Sequence, residues 1–164
     1  MGTRCGDLDP AIVFYLGRKT GLSSEEIETL LNKHSGLKGI CGVNDMREIA
    51  QLADKGDAPT RLAIEMYCYR IRKYIGAYSA ALGRVDALVF TAGIGENAAD
   101  IRLRSCTGLT GIGIEVDENK NNRTAHGIRA IHSDKSSVDI LVIPTDEELE
   151  IAEQTVEKIQ SLSF

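Results

Sequence analysis

Residues 85–97 read VDALVFTAGIGEN. The first six form a short run rich in β-formers. Its nearly continuous apolar character suits a strand buried on both faces. After Thr91 come two glycines, Gly93 and Gly95, with Ile94 between them, and then Glu96 and Asn97. Glycine lets backbone N–H groups approach a ligand with no Cβ in the way. A helix that follows adds free N–H groups and a positive dipole end, so phosphate suits this place. Glu96 conflicts with that reading, because a carboxylate repels bare phosphate. A hard cation such as Mg²⁺ removes the conflict by joining carboxylate to phosphates through water. The helix dipole removes it if the carboxylate points away. A tight strand-to-helix turn with no ligand is the plain alternative.

The same grammar recurs at 138–148, VDILVIPTDEE. Each stretch has a Val-Asp-x-Leu-Val run, a turn with threonine, and acid at a helix start. If the two strands are parallel in one sheet, both turns lie at its carboxyl edge, where open α/β sheets bind ligands. Glu96 and Glu147 would then line one crevice; chance similarity of two buried strands is the other reading. Thr145 and Glu148 fit a capping box for the last helix, which leaves Asp146 and Glu147 unexplained. A carboxylate at Glu147 is a reasonable Mg²⁺ position. A rival pattern is present too: GIGENA matches G-x-G-x-x-G/A, and Asp117 follows about 20 residues on, as a dinucleotide site requires. Glu96 is an awkward neighbour for a pyrophosphate without metal. No GxxxxGK[ST] sequence occurs anywhere in the chain.

Upstream of this region the chain reads as helical. Asp9-Pro10 opens AIVFYLGRK, with Gly21 as its stop. Ser23 and Glu26 form a capping box for EEIETLLNK. SGLKGICGVN reads as a glycine-rich loop, after which Asp45 caps MREIAQLADK. Residues 58–83 form a long amphipathic helix with apolar residues at Leu62, Met66, Tyr69, Ile71, Ile75 and Tyr78. Its tyrosines, Tyr67, Tyr69, Tyr74 and Tyr78, are expected in the core, with a subunit surface as the alternative. Downstream, GIGIEV and RAIHS are weaker strand candidates, and AADIRLRSCTG and DEELEIAEQTVEKIQSL are helices.

Composition narrows the function classes. The 164 residues carry a net charge of −5, so no basic field draws nucleic acid or anionic lipid. No apolar run approaches the roughly 18 residues of a membrane span. The length suits one domain with a respectable core. Cys5, Cys41, Cys68 and Cys106 stand far apart without metal spacing and read as reduced thiols of a cytosolic protein. His34, His126 and His132 are isolated, as surface or loop histidines are. Arg4, flanked by GT and CG and close to Asp7 and Asp9, either grips carboxylate or phosphate bidentately or pairs locally with those aspartates. Asp45 reads as an N-cap, and Arg47 as a residue able to stack on a base.

Taken in order, MGTRCGDLDP, SGLKGICGVNDMRE, VDALVFTAGIGEN and DILVIPTDEELEIA resemble the carboxyl-terminal part of acetate kinases, in the acetate and sugar kinase/Hsp70/actin superfamily. The resemblance covers essentially the whole chain. It implies an α/β, actin-like (ribonuclease H-like) domain over 1–164, with a central sheet, helices on both faces and a helix-rich amino-terminal half. It implies reversible transfer of the ATP γ-phosphoryl group to acetate, giving ADP and acetyl phosphate, with Mg²⁺ (or Mn²⁺). By the same resemblance Arg4 is the catalytic arginine beside the transferred phosphoryl group. Asp45, Met46 and Arg47 contact adenine; Gly93, Ile94, Gly95, Glu96 and Asn97 contact adenosine and phosphates; Glu147 is the metal carboxylate. It also implies a cytoplasmic homodimer with no nucleic-acid or membrane partner. GICGVNDMR is about one residue shorter than the family pattern. Family members are more than twice this long, so an amino-terminal domain bearing further catalytic residues is absent and Met1 is expected to be internal or a truncation start. A propionate kinase fragment, an assembly module without activity and a Rossmann oxidoreductase are the alternatives.

Overall fold

The computed structural model describes residues 1–124 and 127–162; His126 lies outside them. The chain divides into two compact units, the first Met1–Ala77 and the second starting at Tyr78.

The first unit is helical: α1 (Ala11–Thr20), α2 (Ser24–Lys33), α3 (Gly36–Cys41), α4 (Met46–Asp54) and most of α5 (Ala58–Leu82). The capping box at α2 forms as its sequence requires, with Glu26 N donating to Ser23 Oγ and Ser23 N to the Glu26 carboxylate. The SGLKGICGVN stretch is not a loop, because Gly36–Cys41 forms α3. The extended amino-terminal segment supplies what the sequence pattern could not show. Leu37 N donates to Met1 O and Lys38 N to Gly2 O, so two orphan donors of the first helical turn are satisfied from outside. Gly36 itself sits at φ 61°, where a Cβ would lie 2.5 Å from Met1 O and 2.8 Å from Arg4 O. Only glycine fits there. The core of the unit gathers Ile27, Leu37, Met46, Ile49, Ala63, Ile64 and Cys68.

Helix α5 has the predicted length but turns a different face inward. Its buried residues are Thr60, Ala63, Ile64 and Cys68. Tyr69, Tyr74 and Tyr78 are exposed and Tyr67 is half-buried, so the tyrosines are not the core residues they were expected to be. Small and β-branched side chains let the helix pack closely, while the exposed face carries the amphipathic rings.

The second unit holds β1 (Ala87–Phe90), α6 (Ala92–Asn97), α7 (Ala99–Cys106), α8 (Glu118–Asn122), β2 (Arg129–Ala130), β3 (Asp139–Val142) and α9 (Glu147–Leu162). The strands form one sheet in the order β1-β3-β2. β1 and β3 are parallel, with Ala87 opposite Asp139 and Phe90 opposite Val142. β3 is central, and Ile140 and Val142 are fully buried on it. β1 is an edge strand and is not buried on both faces, with Val89 46% exposed. RAIHS contributes β2, which runs antiparallel to β3. GIGIEV makes no strand, only a single bridge from Val116 to His132. The 3-10 turn at Thr110–Ile112 and α8 break that stretch on either side.

Candidate functional site

The parallel pairing of β1 and β3 puts the two turns that follow them at the same edge of one sheet. The first turn is abrupt. Thr91 is still extended, at φ −148°, and Ala92 flips to φ 58° to start α6. A non-glycine residue in the left-handed region carries strain of roughly 1–2 kcal/mol. The glycines then divide the work. A Cβ on Gly95 would press on the Phe90 backbone at 3.2 Å, so Gly95 lets α6 lie on the strand end. A Cβ on Gly93 would meet nothing within 4 Å. The fold therefore has no steric need for glycine at 93, and the space over that backbone is open.

Glu96 does not hang free at this turn. Its carboxylate Oε1 accepts from Thr145 N at 3.0 Å and from Thr145 Oγ at 3.3 Å. Glu96 thus ties the turn after β1 to the turn after β3 through two hydrogen bonds. The capping box read from Thr145 and Glu148 does not form. Asp146 caps α9 instead, accepting from Leu149 N at 2.9 Å, while the Thr145 hydroxyl goes to Glu96. Glu147 is the first residue of α9 and is exposed, and its side chain enters no hydrogen bond or ion pair among the described residues. Asn97 Nδ2 donates back to Gly93 O at 2.9 Å.

Beneath the same turn lies a charge that the sequence motifs did not single out. Arg102, on α7, is 2% exposed. Its Nη1 donates to Gly95 O at 2.8 Å and to Glu96 O at 3.0 Å. Its Nε and Nη2 donate to Asn121 Oδ1 and Asn121 O, both at 2.8 Å. Arg129 Nη2 donates to the same Glu96 carbonyl at 2.9 Å. Burial lowers the Arg102 pKa from its ordinary value, and the nearby Arg129 charge lowers it further. Helical spacing held the available signal, since Arg102 shares the buried face of α7 with Ile101, Ser105 and Cys106. Asp117, the residue the dinucleotide pattern required, caps α8 by accepting from Lys120 N at 2.9 Å.

In the first unit, the segment carrying Arg4 lies against the segment carrying Asp45. A Cβ on Gly2 would sit 3.5 Å from Asn44 Cβ. Arg4 is exposed and lines a cavity of about 620 Å³ with His34, Tyr67 and Arg70. It makes no ion pair among the described residues, and its expected partners are engaged elsewhere. Asp7 accepts from Arg70 at 2.9 Å and from the Tyr74 hydroxyl, and Asp9 accepts from Ala11 N. Asp45 caps α4 as predicted, through Arg47 N at 2.9 Å, and also binds the Arg47 guanidinium at 3.0 and 2.6 Å. Hydrogen bonds from the Arg47 side chain, then from its backbone, hold the Asp45 carboxyl at about 2. Met46 is buried, while the Arg47 side chain is 88% exposed.

Comparison with known proteins decides the family. The model of the acetokinase family matches residues 1–153. The chain belongs to the acetokinase family. It is 62% identical over 160 residues to the acetate kinase of Syntrophobacter fumaroxidans, covering 98% of this chain and 39% of that protein. It is 57% identical to the acetate kinase of a Sulfurovum species, covering 99% of this chain and 41% of the relative. Among solved structures, the acetate kinase of Porphyromonas gingivalis superposes with a TM-score of 0.88 at 43% identity, over 96% of this chain and 40% of that one. A propionate kinase from Francisella tularensis superposes with a TM-score of 0.85 at 48% identity, over 93% of this chain and 38% of that one. The fold of this acetokinase chain is accordingly the α/β, actin-like fold. The chain spans about two fifths of the length of these relatives.

Among the described residues, no three His, Cys, Asp or Glu side chains cluster as a metal cage would. Mg²⁺ needs no such cage. It is commonly held by one or two carboxylates, substrate phosphates and water. The uncommitted, exposed oxygen donors of Glu147 fit that mode. No helix among the described residues is long and apolar enough to cross a membrane.

Proposed function

We propose that this acetokinase chain is the MgATP-binding part of an enzyme that moves the γ-phosphoryl group between ATP and acetate. The observation that carries the reading is the shared sheet edge. Parallel β1 and β3 deliver the Gly93–Asn97 segment and the Thr145–Glu147 segment to one place, joined by Glu96. In this reading Gly93, Ile94, Gly95, Glu96 and Asn97 contact adenosine and phosphates, with the open space over Gly93 left for the ligand. Glu147 is the ligand for Mg²⁺ or Mn²⁺, and the metal when bound supplies charge neutralisation to the phosphates. Asp45, Met46 and Arg47 contact adenine. The exposed position of Arg47 supports a stacking role, and the buried side chain of Met46 leaves its backbone as the part that meets the base. Arg4 stabilises the charge of the transferred phosphoryl group, which suits an exposed guanidinium with no carboxylate partner among the described residues. Phosphoryl transfer asks mainly for such positioning and charge neutralisation.

Calorimetric titration tests the reading. The chain binds MgATP, weakly, and Glu147→Gln reduces the affinity in the presence of Mg²⁺ while leaving metal-free ATP unaffected. Hydroxamate trapping with acetate shows negligible turnover by the chain alone; rates typical of a complete enzyme would refute the division of labour. A second acyl acceptor, propionate, is supported by the 48% identity to a propionate kinase, and the same trapping assay on the full-length protein ranks the two. Homodimerisation is the further expectation, supported by the exposed apolar residues Leu62, Met66 and Tyr69 on α5. Sedimentation tests it, and a dimer without nucleotide affinity would favour a pure assembly role. The unpaired Cys5, Cys41, Cys68 and Cys106 fit the expected cytoplasmic setting.

A further inference from the structure

We propose that Arg102 is a positioning residue for the bound polyphosphate, acting through the backbone of the Gly93–Asn97 segment. The inference rests on the reading that this segment contacts MgATP. Three observations carry it. Arg102 is 2% exposed and cannot itself touch a ligand. It spends two of its hydrogen bonds on successive carbonyls of the segment, Gly95 O and Glu96 O. Its other two go to Asn121, whose Nδ2 in turn donates to Ala99 O at 2.9 Å. The segment is therefore clamped from below to α7 and α8 by one side chain, and Arg129 holds the Glu96 carbonyl a second time.

The second element is charge. Every acceptor that Arg102 uses among the described residues is neutral: two backbone carbonyls, an amide oxygen and the Asn121 carbonyl. A buried cation ordinarily sits with a carboxylate, because an uncompensated charge is expensive to bury. Here the positive field under the segment is left uncancelled by its hydrogen-bond partners. Such a field favours an anion above it and counters the repulsion that the Glu96 carboxylate would otherwise exert on phosphate. Clamping and charge act in the same direction: the segment is held rigid where the ligand lies, and the surface is made less hostile to phosphate.

The test compares wild-type chain, Arg102→Lys and Arg102→Met, at a temperature where circular dichroism shows each folded. MgATP and adenosine are titrated into each. Wild type binds MgATP. Arg102→Met loses at least tenfold in MgATP affinity with adenosine affinity changed less than threefold, and Arg102→Lys, which keeps the charge, recovers part of the loss. Equal MgATP affinity in wild type and Arg102→Met overturns the proposal. So does parallel loss of adenosine and MgATP, which marks a general structural role. If Arg102→Met does not fold, Arg102→Lys decides on its own: an unchanged MgATP affinity together with unchanged amide exchange at 93–97 overturns the proposal, and faster exchange with weaker MgATP binding supports it. A wild-type chain that fails to bind MgATP removes the nucleotide reading itself, a result distinct from a variant that binds as well as wild type.

Discussion

Two short segments are expected to meet the nucleotide, and they are built in opposite ways. Residues 45–47 form an exposed corner. Asp45 and Arg47 bind each other in water at a helix start, with side-chain exposures of 44% and 88%. Residues 93–97 rest on a buried arginine, press glycine against a strand end and reach across to the next turn through Glu96. Exposed ion pairs are worth little and reorganise cheaply, whereas buried polar networks fail when one member is removed. The corner is thus suited to yield to a planar base, and the turn is suited to hold still for charged groups.

Breaking the buried side of this contrast gives the largest effect. Arg102→Met takes a donor away from the Gly95, Glu96 and Asn121 oxygens, with only Glu96 O keeping its bond from Arg129, and destabilises the second unit by about 3–5 kcal/mol, measured by urea unfolding. Gly36→Ala follows, at about 2–3 kcal/mol in the first unit. The new Cβ meets two backbone oxygens and must adopt φ 61°, and a drop in the thermal midpoint reads this out. Thr145→Val removes the hydroxyl bond to Glu96 but keeps the backbone one, which loosens the tie between the two turns and costs about 0.5–1 kcal/mol, with faster amide exchange at 93–97 and at the start of α9. Ala92→Gly relieves the left-handed residue at φ 58° and gains up to about 1 kcal/mol, seen as a raised thermal midpoint.

The exposed corner sharpens the comparison by changing little. Arg47→Met leaves the thermal midpoint at neutral pH nearly unchanged, as exposed ion pairs contribute little. It does return the Asp45 carboxyl from about 2 toward its ordinary value of 3.8, because its main cause, the Arg47 side-chain hydrogen bond, is gone. The sign follows from the depressed folded value. Asp45 supports the folded state at pH above the unfolded value and loses that support as pH falls from 3.8 to about 2. A carbon-detected carboxyl titration by NMR follows both effects. A midpoint that stays low in Arg47→Met would assign the shift to the backbone cap alone.

Local patterns were legible wherever a residue satisfies its neighbours in sequence. The Ser23–Glu26 box, the Asp45 cap, the span of α5 and the β1 and β3 runs all follow from spacing within a few residues. Arg4, Glu147 and the glycine turn were legible as candidates because their types and motifs are distinctive. Three readings failed for one reason. α3 draws two of its first-turn hydrogen bonds from Met1 and Gly2, the Thr145 hydroxyl prefers Glu96 to a capping role, and α5 buries the face that meets its neighbours rather than its most apolar stripe. In each case a partner distant in sequence outbid the local one.

The sequence by itself determined α1, α2, α4, α5, α7 and α9, the two longer strands, the order of the motifs and the chemistry offered by Glu96 and Glu147. Only the tertiary structure decided what Glu96 does, namely accept from Thr145 49 residues away, and that the buried Arg102 underlies the turn. The physical reason is that hydrogen bonds and buried charge depend on which groups the fold brings within about 3 Å, a distance that spacing along the chain does not encode.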